Sequence, residues 1–248
     1  MVINCLTTFP EFMESIKNFS IVKNAISKKK LSVNVINIRD FSNHNNRNTD
    51  DYPFGGGEGL LMTIQPIHDA LNSIKEKGDV IFLSPRGKKI DQNILNELSN
   101  KKSIILLCGH YEGVDYRVID NYVDYELSLG DFVLTGGEIP AMVLIDGISR
   151  LLPDVLGNKN SYQNESFYNG LLEYPQYTRP RDFNGLTVPD ILLSGDHKKI
   201  EEYNLKQSIL NTYKYRPDLI EKILKEDFVD KRVKELILNL GKEDSKWI

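Results

Sequence analysis

The chain has 248 residues, 40% of them hydrophobic, which is enough for one large domain or two modest ones with a real core. No run approaches the roughly 18–20 apolar residues of a membrane span and the N-terminus lacks a signal-peptide pattern, so no membrane is expected and the cytoplasm is the expected location. A net charge of −4 argues against a nonspecific nucleic-acid binder, but the acidic excess lies in residues 1–175, because residues 176–248 hold 14 basic and 13 acidic side chains.

VINCL (2–6) reads as a buried strand. Thr8 is expected to cap a helix running to about Ser27, with Pro10 and Glu11 in its first turn and Phe12, Ile16, Phe19, Val22 and Ile26 on one face. LSVNVINI (31–38) alternates with the period of a strand. The long polar stretch RDFSNHNNRNTDDYPFGGGEG (39–59) follows, and it reads equally as a connector or as a substrate loop. It carries neither a G-x-G-x-x-G nor a GxxxxGK[ST] spacing.

A helix over about 63–76 and a strand VIFL (80–83) come next, the strand ending in SPRGKK. A helix over 90–99 leads to strand IILL (104–107), which opens into CGHYEG (108–113). A short helical turn near 114–120, strand VDYEL (123–127) and the segment SLGDFVLTGGE (128–138) precede a helix over about 138–151 that is apolar nearly all round and expected to be buried. Alternating β and α elements with continuous apolar strands predict an α/β fold with a mostly parallel sheet. Ligands of such sheets bind outside the carboxyl ends of the strands, where SPRG, CGHYEG and SLGDFVLTGGE all fall. Cys5 and Cys108 lie in apolar runs without CxxC spacing, so both read as buried thiols and neither a disulfide nor a zinc site is expected.

From Pro153 the composition turns to Asn, Gly, Pro and Tyr, which reads as a linker. Helices from about 197 (capped by Asp196), over 217–225 and over 228–240 then suggest a small all-α domain. The expected organisation is a domain over 1–158, a flexible linker over 159–176 and a helical domain over 177–248.

Taken singly, the chemistry-bearing residues are ambiguous. Arg150 ends the apolar helix, where a basic side chain can simply satisfy carbonyl groups. Glu165 alone reads as a solvated carboxylate. His44, His68, His110 and His197 have no metal-ligand spacing. Lys198, Lys199, Lys206, Lys214 and Arg216, interleaved with tyrosines, fit a phosphate-binding face or a merely solvated one.

Taken together, TFPEF (8–12), DDYPFGGGEGLLM (50–62), LSPRGKK (83–89), LCGHYEGVDYRV (107–118), SLGDFVLTGGEIPAM (128–142), ISRLLPDVLG (148–157), ESFYNGLLEYPQYTRP (165–180) and VPDILLSGDH (188–197) resemble the bacterial tRNA (guanine-N1)-methyltransferases of the knotted SPOUT superfamily. The matching segments run through most of the chain in order. The resemblance implies a sheet with a deep trefoil knot, a homodimer, and transfer of a methyl group from S-adenosylmethionine to N1 of guanosine 37 in tRNA.

It also implies roles for residues. The methyl donor would be held by Ser84 and Pro85, by Gly109, Tyr111 and Glu112, by Leu129, Gly130, Asp131, Phe132, Val133 and Leu134, and by Gly136 and Gly137. Asp50, Gly55, Gly57, Lys198 and Lys206 would meet the tRNA. Glu165 would be the general base and Arg150 would stabilise charge on the guanine O6. A Mg²⁺ requirement is also implied, with no carboxylate cage legible for it.

Three positions depart from the family pattern: glutamate stands at 165 for the usual aspartate, phenylalanine at 132 for a frequent tyrosine, and histidine at 110 for a frequent arginine. The alternatives are a knotted RNA methyltransferase acting on a ribose 2′-hydroxyl or another base, and a non-catalytic RNA-binding module. The retained Arg150, the carboxylate at 165 and the glycine loops argue against the last.

Overall fold

Apolar side chains alternate along the sheet strands and both sets are buried, which requires cover on each face. The computed structural model describes residues 1–156, 165–225 and 231–243, and the chain forms two units, Met1–Lys159 and Asn160–Ile248. In the first unit, β1 (Val2–Thr7), β2 (Ser32–Asn37), β5 (Asp79–Lys89), β6 (Ser103–Leu107) and β7 (Tyr125–Ser128) form one parallel sheet in the order β2-β1-β6-β5-β7. The short strands β3 (Asp50–Asp51) and β4 (Leu61–Met62) pair separately, antiparallel, at the base of the glycine-rich loop.

Ile3, Cys5, Ile81, Leu83, Ile104 and Leu106 face one side of the sheet, under α1 (Pro10–Ser15), α2 (Ser20–Ser27), α4 (Gln92–Ser99) and α6 (Glu138–Ser149). Leu6, Val80, Phe82, Ile105 and Leu107 face the other, under α3 (Ile64–Ser73) and α5 (Tyr116–Tyr122). The expected α/β class and parallel sheet are therefore present.

Several local expectations change. The helix over 8–27 is broken: α1 passes through a 3₁₀ turn, Ile16–Asn18, into an extended Phe19, and α2 restarts at Ser20 with φ +39°. Thr8 does not cap α1. Phe9 holds the N-cap position, and its N–H donates to the Thr7 hydroxyl (2.8 Å). Strand β5 extends through SPRGKK to Lys89, with its register against β7 shifting between Leu83 and Lys88. α6 is not buried all round, since Ile139 and Val143 are exposed along one side.

The second unit is helical: α7 (His197–Tyr215), α8 (Pro217–Lys225) and α9 (Lys231–Glu243). Asp196 caps α7 as expected, accepting from the Lys199 N–H (3.2 Å). The unit is not all-α, because Asp182–Phe183 and Leu186–Thr187 form a small antiparallel hairpin, β8 and β9. Within the stretch read as linker, Leu171 is buried with Ile209, Ile220, Ile223 and Ile237, and the Leu172 N–H donates to the Thr212 hydroxyl (2.9 Å). A single Gly-Leu-Leu step among polar residues has no periodicity by which to announce that it packs. Residues 157–164, with the start of the expected linker, lie outside the described residues, as does the start of the expected last helix at 228–230.

Both cysteines are fully buried, and burial pushes the Cys5 thiol up to about 12 and the Cys108 thiol well above its ordinary value. At pH 8 each is held in the unreactive thiol form behind packed side chains. The folded chain is therefore expected to resist 5,5′-dithiobis(2-nitrobenzoate) at pH 8 and to release two thiols on denaturation. Rapid reaction of either in the native state would contradict this packing.

Candidate functional site

Strands β6, β5 and β7 are neighbours, so the segments that follow their apolar cores meet at one end of the sheet. Ser84–Arg86, Gly109–Val114 and Leu129–Gly137 surround a cavity of about 340 Å³, floored by Phe82, Leu83 and Leu127. This is the size range of small-molecule sites, in the position where parallel sheets bind ligands. Ser84, Pro85, Gly109, Tyr111, Glu112, Leu129, Gly130, Phe132, Val133, Leu134, Gly136 and Gly137 all line it. Asp131 does not: it turns outward and pairs with Lys89 (2.6 Å).

The glycines have steric reasons. The Gly137 N–H donates to the Gly109 carbonyl (2.8 Å), and a Cβ at Gly137 would lie 2.8 Å from Cys108 Cα and 3.0 Å from Gly109 N. Backbone meets backbone there, and no side-chain movement makes room. Position 136 forms a bridge with His110, and a Cβ on it would overlap the Glu138 carboxylate and sit 2.6 Å from His110 Nδ1.

The cavity wall is stiffened by charge. The Arg86 guanidinium forms a two-pronged pair with Glu126 (2.7 and 2.9 Å) and lies 5.0 Å from the Tyr116 ring centre. These bonds, led by Glu126, raise its already high pKa further. Arg86 thereby pins the irregular part of β5 to β7. Glu112 supplies negative charge to the same lining. His110 lies against Phe9, ring centres 4.6 Å apart and ring planes tilted by 52°, and among the described residues its buried Nδ1 has no hydrogen-bond partner. Behind the wall, the buried Glu138 accepts from the Thr7 hydroxyl (2.7 Å).

The glycine-rich loop shares this wall. Glu112 N–H donates to Leu60 O (3.1 Å), and Met62 N–H to Gly113 O (2.9 Å). Asp50, partly buried in β3, and the exposed Gly55 and Gly57 belong to this loop. Sequence reasoning reached Arg86 only as part of the SPRG segment and missed Phe82 and Pro140 as lining residues. Phe82 lies in the continuous apolar run VIFL, which marks a buried strand without saying which side chain floors a cavity; nothing local foretold Arg86's partner forty residues away. A second, more open depression lies beside β2, lined by Asn4, Asn34, Asn37, Asp40 and Phe41 among others.

Arg150 is the C-cap residue of α6, partly buried, with its N–H bonded to Asp146 O (3.3 Å). Glu165 belongs to the second unit, partly buried, on a turn closed by the Tyr168 N–H donating to its carbonyl (3.3 Å). That turn is tethered through Leu171 and Leu172 to α7. Lys198 and Lys206 are exposed on α7. Among the described residues, no group of three or more His, Cys, Asp or Glu side chains is gathered to hold a metal ion.

Comparison with known proteins shows the family. Residues 1–222 match the family model described as tRNA (Guanine-1)-methyltransferase TrmD. A curated tRNA (guanine-N(1)-)-methyltransferase of Ruminiclostridium cellulolyticum is 50% identical, over 90% of this chain and 97% of its own length. One from Mesomycoplasma hyopneumoniae is 52% identical, over 91% and 98%. Among solved structures, the tRNA (m1G37) methyltransferase of Aquifex aeolicus is similar with a TM-score of 0.73 at 42% identity, covering 93% of this chain and 99% of that one.

Gly137→Ala is expected to destabilise the fold by about 1–3 kcal/mol, the usual cost of forcing a methyl group into a filled space. Urea unfolding measures it; an unchanged midpoint would mean the backbone approach at Gly109 is slack.

Proposed function

Since the chain belongs to the tRNA (guanine-1)-methyltransferase family and methylates N1 of guanosine in tRNA, we propose that its methyl donor, S-adenosylmethionine, binds in the cavity at the ends of β5, β6 and β7. The observation that carries this reading is the cradle itself: a cavity at the strand ends where a Cβ at Gly109, Gly136 or Gly137 would collide with a neighbour, so that backbone lines part of the enclosed space. Ser84, Pro85, Gly109, Tyr111 and Glu112 would hold the donor from one side. Leu129, Gly130, Phe132, Val133, Leu134, Gly136 and Gly137 would hold it from the other. Glu112 suits a cationic ligand, and the orphaned Nδ1 of His110 is a polar group that a ligand can satisfy. Asp131 would act through its pairing with Lys89, by steadying the loop. When bound, the donor's sulfonium supplies an electrophilic methyl group.

The chain's own residues must then make guanine N1 nucleophilic. At neutral pH N1 carries a proton and its lone pair is unavailable. Glu165 would accept that proton as the general base, and negative charge would develop on O6. Arg150 would donate a hydrogen bond to O6; one charge-assisted bond is worth roughly 1.5–3 kcal/mol, or about ten- to a hundredfold in rate. Glutamate and aspartate differ little in basicity. The departure at 165 thus changes reach, by one methylene, more than chemistry. No step is assigned to Mg²⁺.

The target would be guanosine 37, the nucleotide for which the similar Aquifex aeolicus enzyme, a tRNA (m1G37) methyltransferase, is named. A trefoil knot is supported by the path of the chain after β7, which returns to bond Gly137 to Gly109 after β6. A homodimer, with each active site built from both chains, is supported by the exposed apolar side of α6 at Ile139 and Val143. Lys198 and Lys206 would approach tRNA phosphates, Asp50, Gly55 and Gly57 the region near the target base, and the enzyme would work in the cytoplasm.

With transcripts carrying guanosine or adenosine at position 37, methyl transfer is expected to the first alone. Glu165→Ala should cut kcat at least a hundredfold while the Kd for S-adenosylmethionine stays within twofold. Arg150→Ala should cost about ten- to a hundredfold. Full activity in Glu165→Ala would remove that carboxylate from the mechanism, and equal transfer to both transcripts would remove the proposed target.

A further inference from the structure

The loop between β3 and β4 holds two large aromatic side chains that nothing in the fold accounts for. Phe54 is 101% exposed and Tyr52 79% exposed, with Pro53 between them. The loop's base is well made: Thr63 N–H donates to Thr49 O (2.8 Å), Met62 N–H to Gly113 O (2.9 Å) and Asp115 N–H to Met62 O (2.9 Å). Gly59, at φ +81°, lies so close to Glu112 that a Cβ would overlap it. Glu112 and Gly113 are themselves cavity lining. The aromatics therefore project from the rim of the donor cavity, Phe54 five residues from Gly59 and no more than about 17 Å of extended chain from it.

The chemistry of the loop narrows its occupant. Residues 50–59 contain Asp50, Asp51 and Glu58 and no lysine or arginine, so the loop repels phosphate groups. What it offers instead is flat apolar surface, together with backbone at Gly55 and Gly56, where even a Cβ would find nothing within 4 Å. A neutral planar group with polar edges fits both features, and the tRNA substrate contains one in every nucleobase. Extruding a target base from its stack leaves its neighbours without a stacking partner, and aromatic side chains replace such partners in single-stranded recognition.

Resting on the reading above, we infer that Phe54, seconded by Tyr52, is a stacking platform for an unpaired base of the tRNA adjacent to the methylated guanosine. The platform binds a base face and contributes no charge. Replacing Phe54 should therefore weaken the RNA complex without disturbing the donor site.

The test compares the full-length enzyme with Phe54→Ala and Phe54→Trp, using transcripts that carry either a normal nucleotide or an abasic site beside position 37. Phe54→Ala is expected to raise KM for the normal transcript about tenfold, with Kd for S-adenosylmethionine unchanged within twofold; Phe54→Trp should stay near the parent value. The abasic transcript should bind the parent enzyme about tenfold more weakly yet be bound by Phe54→Ala no worse than the normal one. An unchanged KM in Phe54→Ala, or an abasic penalty equal in both enzymes, overturns the inference. So does a smaller particle in sedimentation for Phe54→Ala, which would make the aromatic a contact between copies of the chain. Failure of the parent enzyme to methylate the normal transcript would instead strike the reading of the target.

Discussion

One close backbone approach organises the first unit. The Gly137 N–H meets the Gly109 carbonyl at 2.8 Å, with Cys108 Cα occupying the space a side chain would need. That contact joins the segment leaving β7 to the segment leaving β6, across the end of β5. It also sets the start of α6, whose first residue, Glu138, is buried against Thr7 of β1. The cavity exists because these segments are drawn together, and its lining follows from which residues happen to lie on them. Arg86 serves the same end from the third side, holding the irregular stretch of β5 against Glu126 of β7.

The proposed donor site and the proposed base belong to different units of the chain. The cradle is rigid sheet-end architecture within Met1–Lys159, whereas the proposed base, Glu165, sits on a turn anchored to α7 through Leu171 and Leu172.

The sheet and its three terminal loops were legible in the sequence because both rest on short-range signals. Continuous apolar runs mark strands buried on two faces, and glycine after a strand marks backbone put to use. Less was legible where the deciding partner is distant. The break at Ser20 has no local turn signature, the outward turn of Asp131 depends on Lys89, and the register shift in β5 is held by a pair forty residues apart. Leu171 packs into the helical unit from a stretch that reads as linker because its apolar residues form no period. Arg150 and Glu165 carry no pattern of their own. They became candidates only through resemblance to a family, and the apolar side chains of α6 are buried or partly buried as expected except at Ile139 and Val143, because hydrophobicity does not say which partner covers a face.

Hydrogen–deuterium exchange of the full-length chain with and without S-adenosylmethionine tests most directly whether the sheet-end cavity is the donor site. Slowed exchange is expected in residues 84–87, 109–114 and 129–137 together, with the depression beside β2 unaffected. Protection centred on residues 34–41 and 73–76, or none in the three loops, would contradict a donor site at the ends of β5, β6 and β7.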